Sequence, residues 1–259
     1  MNLKFRVDLN CDLGESFGDF KIGDDEKIMP HITSANIACG FHAGDPVTME
    51  KTVRLARRFK VAIGAHPGFP DLMGFGRREM QLTREELKTA IIYQIGALQG
   101  FAKTSNVKLQ HVKPHGALYN MAAEDENISS TIVEAVKALD SRLIVFAMPK
   151  SQLAKACLKA GIKVAHEFFA DRAYNSDGNL VSRKQAGAMI QDARIVVERA
   201  VKAVKLRKVK TIDGKDLSLN EVHTVCVHGD TSAAVKLATA LKRGLAEAEV
   251  KVEPVGNFI

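Results

Sequence analysis

Four histidines of this chain stand in tight turns built from glycine or proline: His42 in Gly40-Phe41-His42-Ala43-Gly44, His66 in Gly64-Ala65-His66-Pro67-Gly68, His115 in Lys113-Pro114-His115-Gly116, and His228 just before Gly229-Asp230. Imidazole exchanges protons near neutral pH and ligates metals, and a neighbouring glycine leaves room for a ligand. Any one such histidine is most simply a hydrogen-bonded core residue, but four in one grammar point to a shared site. Acids gather near them. Asp8-Leu9-Asn10-Cys11-Asp12-Leu13-Gly14-Glu15 places three carboxylates in eight residues, and strand alternation puts Asp8, Asn10 and Asp12 on one face. Further along, Glu167 and the pair Asp171-Arg172 follow another apolar run, while Lys113 stands two residues before His115.

The polar residues follow short apolar runs that alternate with helical patterns. Lys4 to Asn10 alternates as a strand does, and Asp24 to His31 reads as a short helix stopped near Pro30. The run around Ala35 to Cys39 ends in the His42 turn. Asp45 then caps, and Pro46 opens, a helix over Pro46 to Lys60 with Met49, Val53, Ala56 and Lys60 at helical spacing. Val61 to Ala65 is a buried strand leading into the long loop from His66 to Arg78, whose length and paired Arg77-Arg78 suggest function. Thr83 and Glu86 form a capping box for a helix striped with Leu87, Ile91, Ile95, Leu98 and Phe101.

Strands are expected at Leu109 to Val112, Leu143 to Ala147, Ile162 to Ala165 and Val222 to Val227, with a last short one near Val250. Helices are expected over Asn127 to Leu139, over Gln152 to Ala160 with Gly161 as its stop, and on through Leu245. Ser182 and Gln185 predict the start of a long helix carrying Met189, Ala193, Val197, Ala200 and Val204, and Asp213-Gly214 predicts a surface hairpin. His111 and His115 have the spacing of a helical metal pair. Pro114 favours extended backbone, however, which sets the rings roughly 13 Å apart and leaves His111 as a core residue. About seven strand-helix alternations without a linker close most simply into one seven-stranded irregular β/α barrel domain over residues 1–259. Its chemistry would lie at the strand ends, with a doubly wound open sheet as the alternative.

The net charge of +7 is scattered apart from Lys202 to Lys210, and aromatic residues are 6% with no tryptophan, so the chain lacks the basic face and stacking platforms of a nucleic-acid binder. Met1 to Asn10 has no apolar core for a signal peptide and no run approaches a membrane span, so a soluble cytoplasmic protein is expected. Cys11, Cys39, Cys157 and Cys226 have no CxxC spacing and read as reduced, mostly buried thiols.

Taken in order, Asp8 to Glu15, Ser34-Ala-Asn-Ile-Ala-Cys-Gly-Phe-His-Ala-Gly-Asp-Pro46, Gly64 to Asp71, Lys113-Pro-His-Gly-Ala-Leu-Tyr-Asn120, Phe169 to Tyr174 and Val227 to Asp230 resemble the LamB/YcsF family over nearly the whole chain. The resemblance implies a barrel related to the polysaccharide-deacetylase-like barrels. It also implies ATP-dependent hydrolytic opening of 5-oxoproline to L-glutamate, in a complex with two partner subunits, B and C. No G-x-x-x-x-G-K-[ST] loop is present, so ATP would be handled by the glycine-histidine turns, by Arg77, Arg78 or Lys113, or by the partners.

On that footing Asp12 is expected as general base, His66 and His115 as groups polarising the lactam oxygen, and Lys113 as the cation that neutralises developing charge. Asp171 and Arg172 would grip the substrate carboxylate, and Asn10, Glu15, His42, Asp45, Arg77, Glu167, His228 and Asp230 would complete the binding pocket. Two rivals stand beside this reading. One is a metal-dependent amidohydrolase or deacetylase acting on a small amide or N-acetyl substrate, which would use a divalent ion although the sequence shows no closely spaced histidine pair. The other is a non-catalytic lactam-binding subunit.

Overall fold

The alternating pattern of the first strand organises everything after it. In the structure, a computed structural model that describes residues 4–229 and 233–259, β1 (Phe5–Leu13) turns Asp8, Asn10 and Asp12 to one side and Val7, Leu9, Cys11 and Leu13 to the other, all of them buried. The chain continues through α1 (Asp25–Ile28), β2 (Ser34–Ala38), α2 (Pro46–Phe59), β3 (Ala62–His66), α3 (Arg84–Thr104), β4 (Leu109–Val112), α4 (Gly116–Glu124) and α5 (Glu126–Leu139). It closes with β5 (Ile144–Ala147), α6 (Gln152–Ala160), β6 (Val164–Phe169), α7 (Ala193–Leu206), β7 (Lys208–Lys210), β8 (Asp216–Ser218), β9 (Thr224–Val227), α8 (Ala234–Glu247) and β10 (Val250–Val252).

Seven strands pair in parallel in the order β1-β2-β3-β4-β5-β6-β9, and β9 returns to β1 to close the barrel. β10 adds to the start of β1 through Phe5–Val250 and Val7–Val252, and β7 and β8 form the antiparallel hairpin announced by Asp213-Gly214. The open-sheet alternative therefore falls. Every strand of the ring ends on the same side, which is where the polar turns collect.

Local chemistry fixes the helix ends. The Asp45 carboxylate accepts from the Val47 and Thr48 amides with Pro46 in the first turn, the Thr83–Glu86 capping box is formed on both sides, and Gly161 ends α6 at φ 71°. Buried Met49, Val53 and Ala56 seat α2, whereas Lys60 is exposed and ends that helix in the left-handed region. Leu87, Ile91, Ile95 and Leu98 seat α3 on the barrel as their spacing predicts.

Two expectations change. The strand expected to end at Ala165 runs on to Phe169, so Glu167 points from inside the barrel rather than from its exit. The helix expected from Ser182 begins only at Ala193, capped by Asp192. Before it, Gly187 takes φ +81°, Met189 bridges to Arg172 and Leu180 bridges to Tyr174, so residues 172–192 form a folded flap beside the strand ends. α4 is not foreshadowed by a separate helical pattern because it follows the His115 turn at once, but its Ala117, Leu118, Tyr119 and Ala122 are buried.

All four cysteines are buried and free. Among the described residues no helix is long and apolar enough to cross a membrane.

Candidate functional site

A cavity of about 690 Å³ opens at the ends of the strands, with Asp12, Lys113, His66, His115 and His228 among the side chains that face it and Arg77, Arg172, Arg183 and Lys184 on its walls. Its floor is a polar ladder where many barrels carry apolar layers. Asp8, deepest in the ladder, accepts from the hydroxyls of Thr33 and Ser34 at 2.7 Å and of Thr224 at 2.6 Å. Burial pushes its carboxyl up to about 6, against the opposing pull of those hydroxyls. Asn10 comes next and donates to Thr224 at 2.7 Å and to Glu167 at 3.1 Å.

Above them Lys113, delivered by the end of β4, places Nζ 2.9 Å from Asp12 Oδ1, 2.9 Å from Glu167 Oε1 and 3.1 Å from the Cys226 sulfur. Burial alone would favour a neutral amine. Asp12, Cys226 and Glu167 outweigh it and hold the ammonium well above the ordinary lysine range. Asp12 shows the converse: burial would raise its carboxyl, but His66 and Lys113 hold it well below the usual carboxylate range. Asn36 locks the arrangement by donating to both Asp12 (2.8 Å) and Asn10 (2.7 Å), while its own oxygen lies 2.7 Å from His111 Nε2. His111 is thus a supporting residue, stacked on Phe146 and held neutral by burial with a pKa of about 3. A Cβ at Gly64 would run into its ring.

Three histidines from three different strand ends converge beside this ladder. His66 closes β3, His115 precedes α4 and His42 occupies the turn after β2, with Glu15, just past β1, among them. One potential ligand atom from each of Glu15, His42, His66 and His115 lies within 4.8 Å of all the others. The long loop after β3 makes room for them. Gln94 clasps Gly68 through two 2.9 Å hydrogen bonds, and Asp71 pairs with Arg78 and accepts from the Gly74 amide. So held, Gly76 lies against His42 and His115 at φ +62°, where a Cβ would sit 2.7 Å from His42 Cβ and 2.8 Å from His115 Cδ2. Burial first, then the neighbouring histidines, hold His42 and His115 well below the ordinary imidazole range.

A third group faces the cavity from β9. His228 Nδ1 lies 2.8 Å from Asp171 Oδ2, so in the neutral ring the carboxylate fixes the proton on Nδ1 and leaves Nε2 as the basic nitrogen. Beside it Arg172 donates to the Val181 carbonyl at 2.7 Å, while its Nε is buried without a hydrogen-bond partner. Burial, then the Arg183 charge, draws this guanidinium down to about 10, which leaves it fully charged at neutral pH.

A model of the LamB/YcsF family matches residues 7–259. The chain belongs to the LamB/YcsF family. A relative from Alkaliphilus metalliredigens, named as the A subunit of 5-oxoprolinase, is 54% identical over 248 residues, covering 96% of both chains. The lactam utilization protein of Thermus thermophilus superposes with a TM-score of 0.91 at 44% identity over 96% of this chain and 99% of its own. A family 4 carbohydrate esterase from Streptomyces lividans shares the fold at TM-score 0.50 and 9% identity, covering 96% of this chain and 92% of its own. The LamB/YcsF barrel is thereby related in fold to the deacetylase-like β/α barrels.

Within this LamB/YcsF chain the structure gathers Asn10, Asp12, Glu15, His42, His66, Lys113, His115, Glu167, Asp171, Arg172 and His228 around one cavity or its floor, and Arg77 lies on the wall over the Phe75 ring. Asp45 stays apart. Its oxygens accept from the amides of Val47, Thr48 and Gly18, which makes it a cap and a loop tie. Asp230 lies outside the described residues. The close histidine pair that sequence spacing denied exists in space, built from separate strands. Asn36 and Cys226 escape a reading by motif, although the polar Ser34-x-Asn36 alternation on an otherwise apolar strand is a usable signal for the first.

Proposed function

We propose that this chain opens the lactam ring of 5-oxoproline to glutamate, as the hydrolytic subunit of an ATP-dependent enzyme with two further subunits, B and C. The observation that carries the reading is the pairing, in one cavity, of a buried guanidinium with an unpaired Nε at Arg172 and a buried acid-base centre at Asp12, Lys113 and Asp171–His228. A small cyclic amide bearing one carboxylate presents these two features, an anion to grip and a carbonyl to attack. Two relatives of this chain, named as the A subunit of 5-oxoprolinase and as a lactam utilization protein, support the same substrate class and a multi-subunit assembly.

Arg172 binds the carboxylate and orients the ring. Water adds to the lactam carbonyl carbon with its proton passing to His228 Nε2, and Asp171 stabilises the imidazolium. Asp12, held at low basicity, serves chiefly to anchor Lys113, whose ammonium compensates the charge that develops on the lactam oxygen. The C–N bond then breaks, the proton held by His228 goes to the departing nitrogen, and the ring opens to a γ-acyl phosphate, which a second water cleaves to the amino acid and inorganic phosphate. The lactam is a stabilised amide, so the step is driven by transfer of the ATP γ-phosphoryl to its oxygen. We assign that transfer to the partner subunits, since this sequence has no G-x-x-x-x-G-K-[ST] loop.

The test is formation of glutamate and ADP from 5-oxoproline by this chain alone and with subunits B and C. Lactam-dependent ATP hydrolysis in the complex is expected. Its absence, with all three chains folded and associated, overturns the reading.

A further inference from the structure

We propose that Glu15, His66 and His115 bind a divalent transition-metal ion, with His42 as a fourth donor. Two backbone carbonyls fix where the ring protons of His66 and His115 must be. His66 Nδ1 lies 2.7 Å from the Lys113 carbonyl and His115 Nε2 lies 2.8 Å from the Phe75 carbonyl. A carbonyl oxygen only accepts, so each of these nitrogens carries the hydrogen. The other nitrogen of each ring, His66 Nε2 and His115 Nδ1, is then a bare lone pair in the neutral side chain, and these two face one another at 2.9 Å. Two lone pairs meet at that distance only around a shared cation.

A proton would serve that pair and the Asp12 carboxylate, whose Oδ1 lies 3.5 Å from His66 Nε2. It would leave both nitrogens of His42 buried without any hydrogen-bond partner, as they stand. Ligands bound at about 2.0–2.2 Å to one ion stand roughly 3–4 Å from each other, and Glu15 Oε1 lies 3.7 Å from His115 Nδ1 and 3.8 Å from His42 Nε2. The two carbonyls that fix the protons of His66 and His115 are the outer partners a metal-binding imidazole needs. His42 stacks flat on His115 with centroids 3.7 Å apart, so its ring must turn to direct a nitrogen at the ion. The imidazole and carboxylate set suits zinc, cobalt or manganese. Such an ion, when bound, would polarise a carbonyl oxygen presented from the cavity.

The test uses the full chain, stripped with chelator and titrated calorimetrically with Zn²⁺, Mn²⁺ and Co²⁺ in the absence of substrate, followed by X-ray absorption on the loaded protein. One equivalent of at least one of the three ions is expected, with an absorption pattern of two or more imidazoles and an oxygen donor. His66→Gln, His115→Gln and Glu15→Gln should each weaken binding by about 100-fold or more. His228→Gln, which alters the neighbouring Asp12–Cys226–His228 group, and the remote His166→Gln should leave it within about threefold, all five variants keeping the circular dichroism of the parent. No stoichiometric binding of any of the three ions, or binding abolished by His228→Gln and spared by His66→Gln, overturns the proposal. Because no lactam or nucleotide is present, this outcome is independent of whether the chain opens 5-oxoproline.

Discussion

Lys113 Nζ and Asp12 Oδ1 meet at 2.9 Å with both side chains shut away from solvent. Glu167 closes on the same ammonium from β6, so one lysine neutralises two buried acids. Lys113→Met should therefore cost about 3–5 kcal/mol in urea unfolding, because it strands both carboxylates. Adding Asp12→Asn to that variant should recover part of the loss. A loss below about 1 kcal/mol for Lys113→Met would mean that the pair behaves like a solvated surface ion pair, against the geometry.

Asp8 gives the fold a pH dependence of unusual sign. Its carboxyl titrates near 6 in the native protein against an ordinary 3.8, so between those values the folded chain holds a proton that the unfolded chain has released. This contribution to stability is complete below pH 4, falls as pH rises through 6, and amounts to about 3 kcal/mol at 1.36 kcal/mol per unit. Asp8→Asn removes it. The stability difference between Asp8→Asn and the parent, measured by urea unfolding from pH 4 to pH 8, should shift in favour of the variant by that amount. A difference that does not change with pH would contradict the assignment.

Arg172 should discriminate lactams by their carboxylate. Arg172→Met is expected to lower kcat/KM for 5-oxoproline in the assembled enzyme by roughly 10- to 100-fold, as loss of a charged hydrogen bond does, mostly through KM. With 2-pyrrolidinone, the same ring without the carboxylate, parent and variant should differ little. Equal losses on both lactams would remove Arg172 from carboxylate binding.

Gly76 is required for the histidine cluster as well as for its own backbone. Gly76→Ala should lower the melting temperature and cut activity at least tenfold, because the new methyl displaces His42 and His115 at a cost of about 1–3 kcal/mol. Gly178 is the control. It too has a positive φ, +93°, but nothing lies within 4 Å of the added carbon, so Gly178→Ala should show only the backbone penalty of about 1 kcal/mol and near-parental kcat. Matching activity losses in the two variants would dismiss the steric argument.

The barrel was legible because its signals are local: the strand alternation of Phe5 to Leu13, the Thr83–Glu86 box, the Gly161 stop and the Asp213-Gly214 hairpin each depend on near neighbours. The residues flanking the cavity were legible for the same reason, since histidine and acid stand out beside glycine. What joins them was not. His42, His66 and His115 meet only once β2, β3 and β4 are side by side, and no spacing along the chain encodes that. The flap at residues 172–192 shows the opposite failure. Met189 fits a helical stripe, yet a long-range bridge to Arg172 claims it first.

Asp8 and Asn10 hold Thr224 across 216 and 214 positions of chain, and Asp8 holds Thr33 and Ser34 on its other side. The strand that carries the chemistry is therefore also the seam where the first and last parts of the ring are sewn together. The acids of β1 have their full set of partners only once β9 lies beside them, so the pocket depends on contacts that span most of the chain. A chain stopped short of β9 has no reduced version of this site, only the exposed half of one.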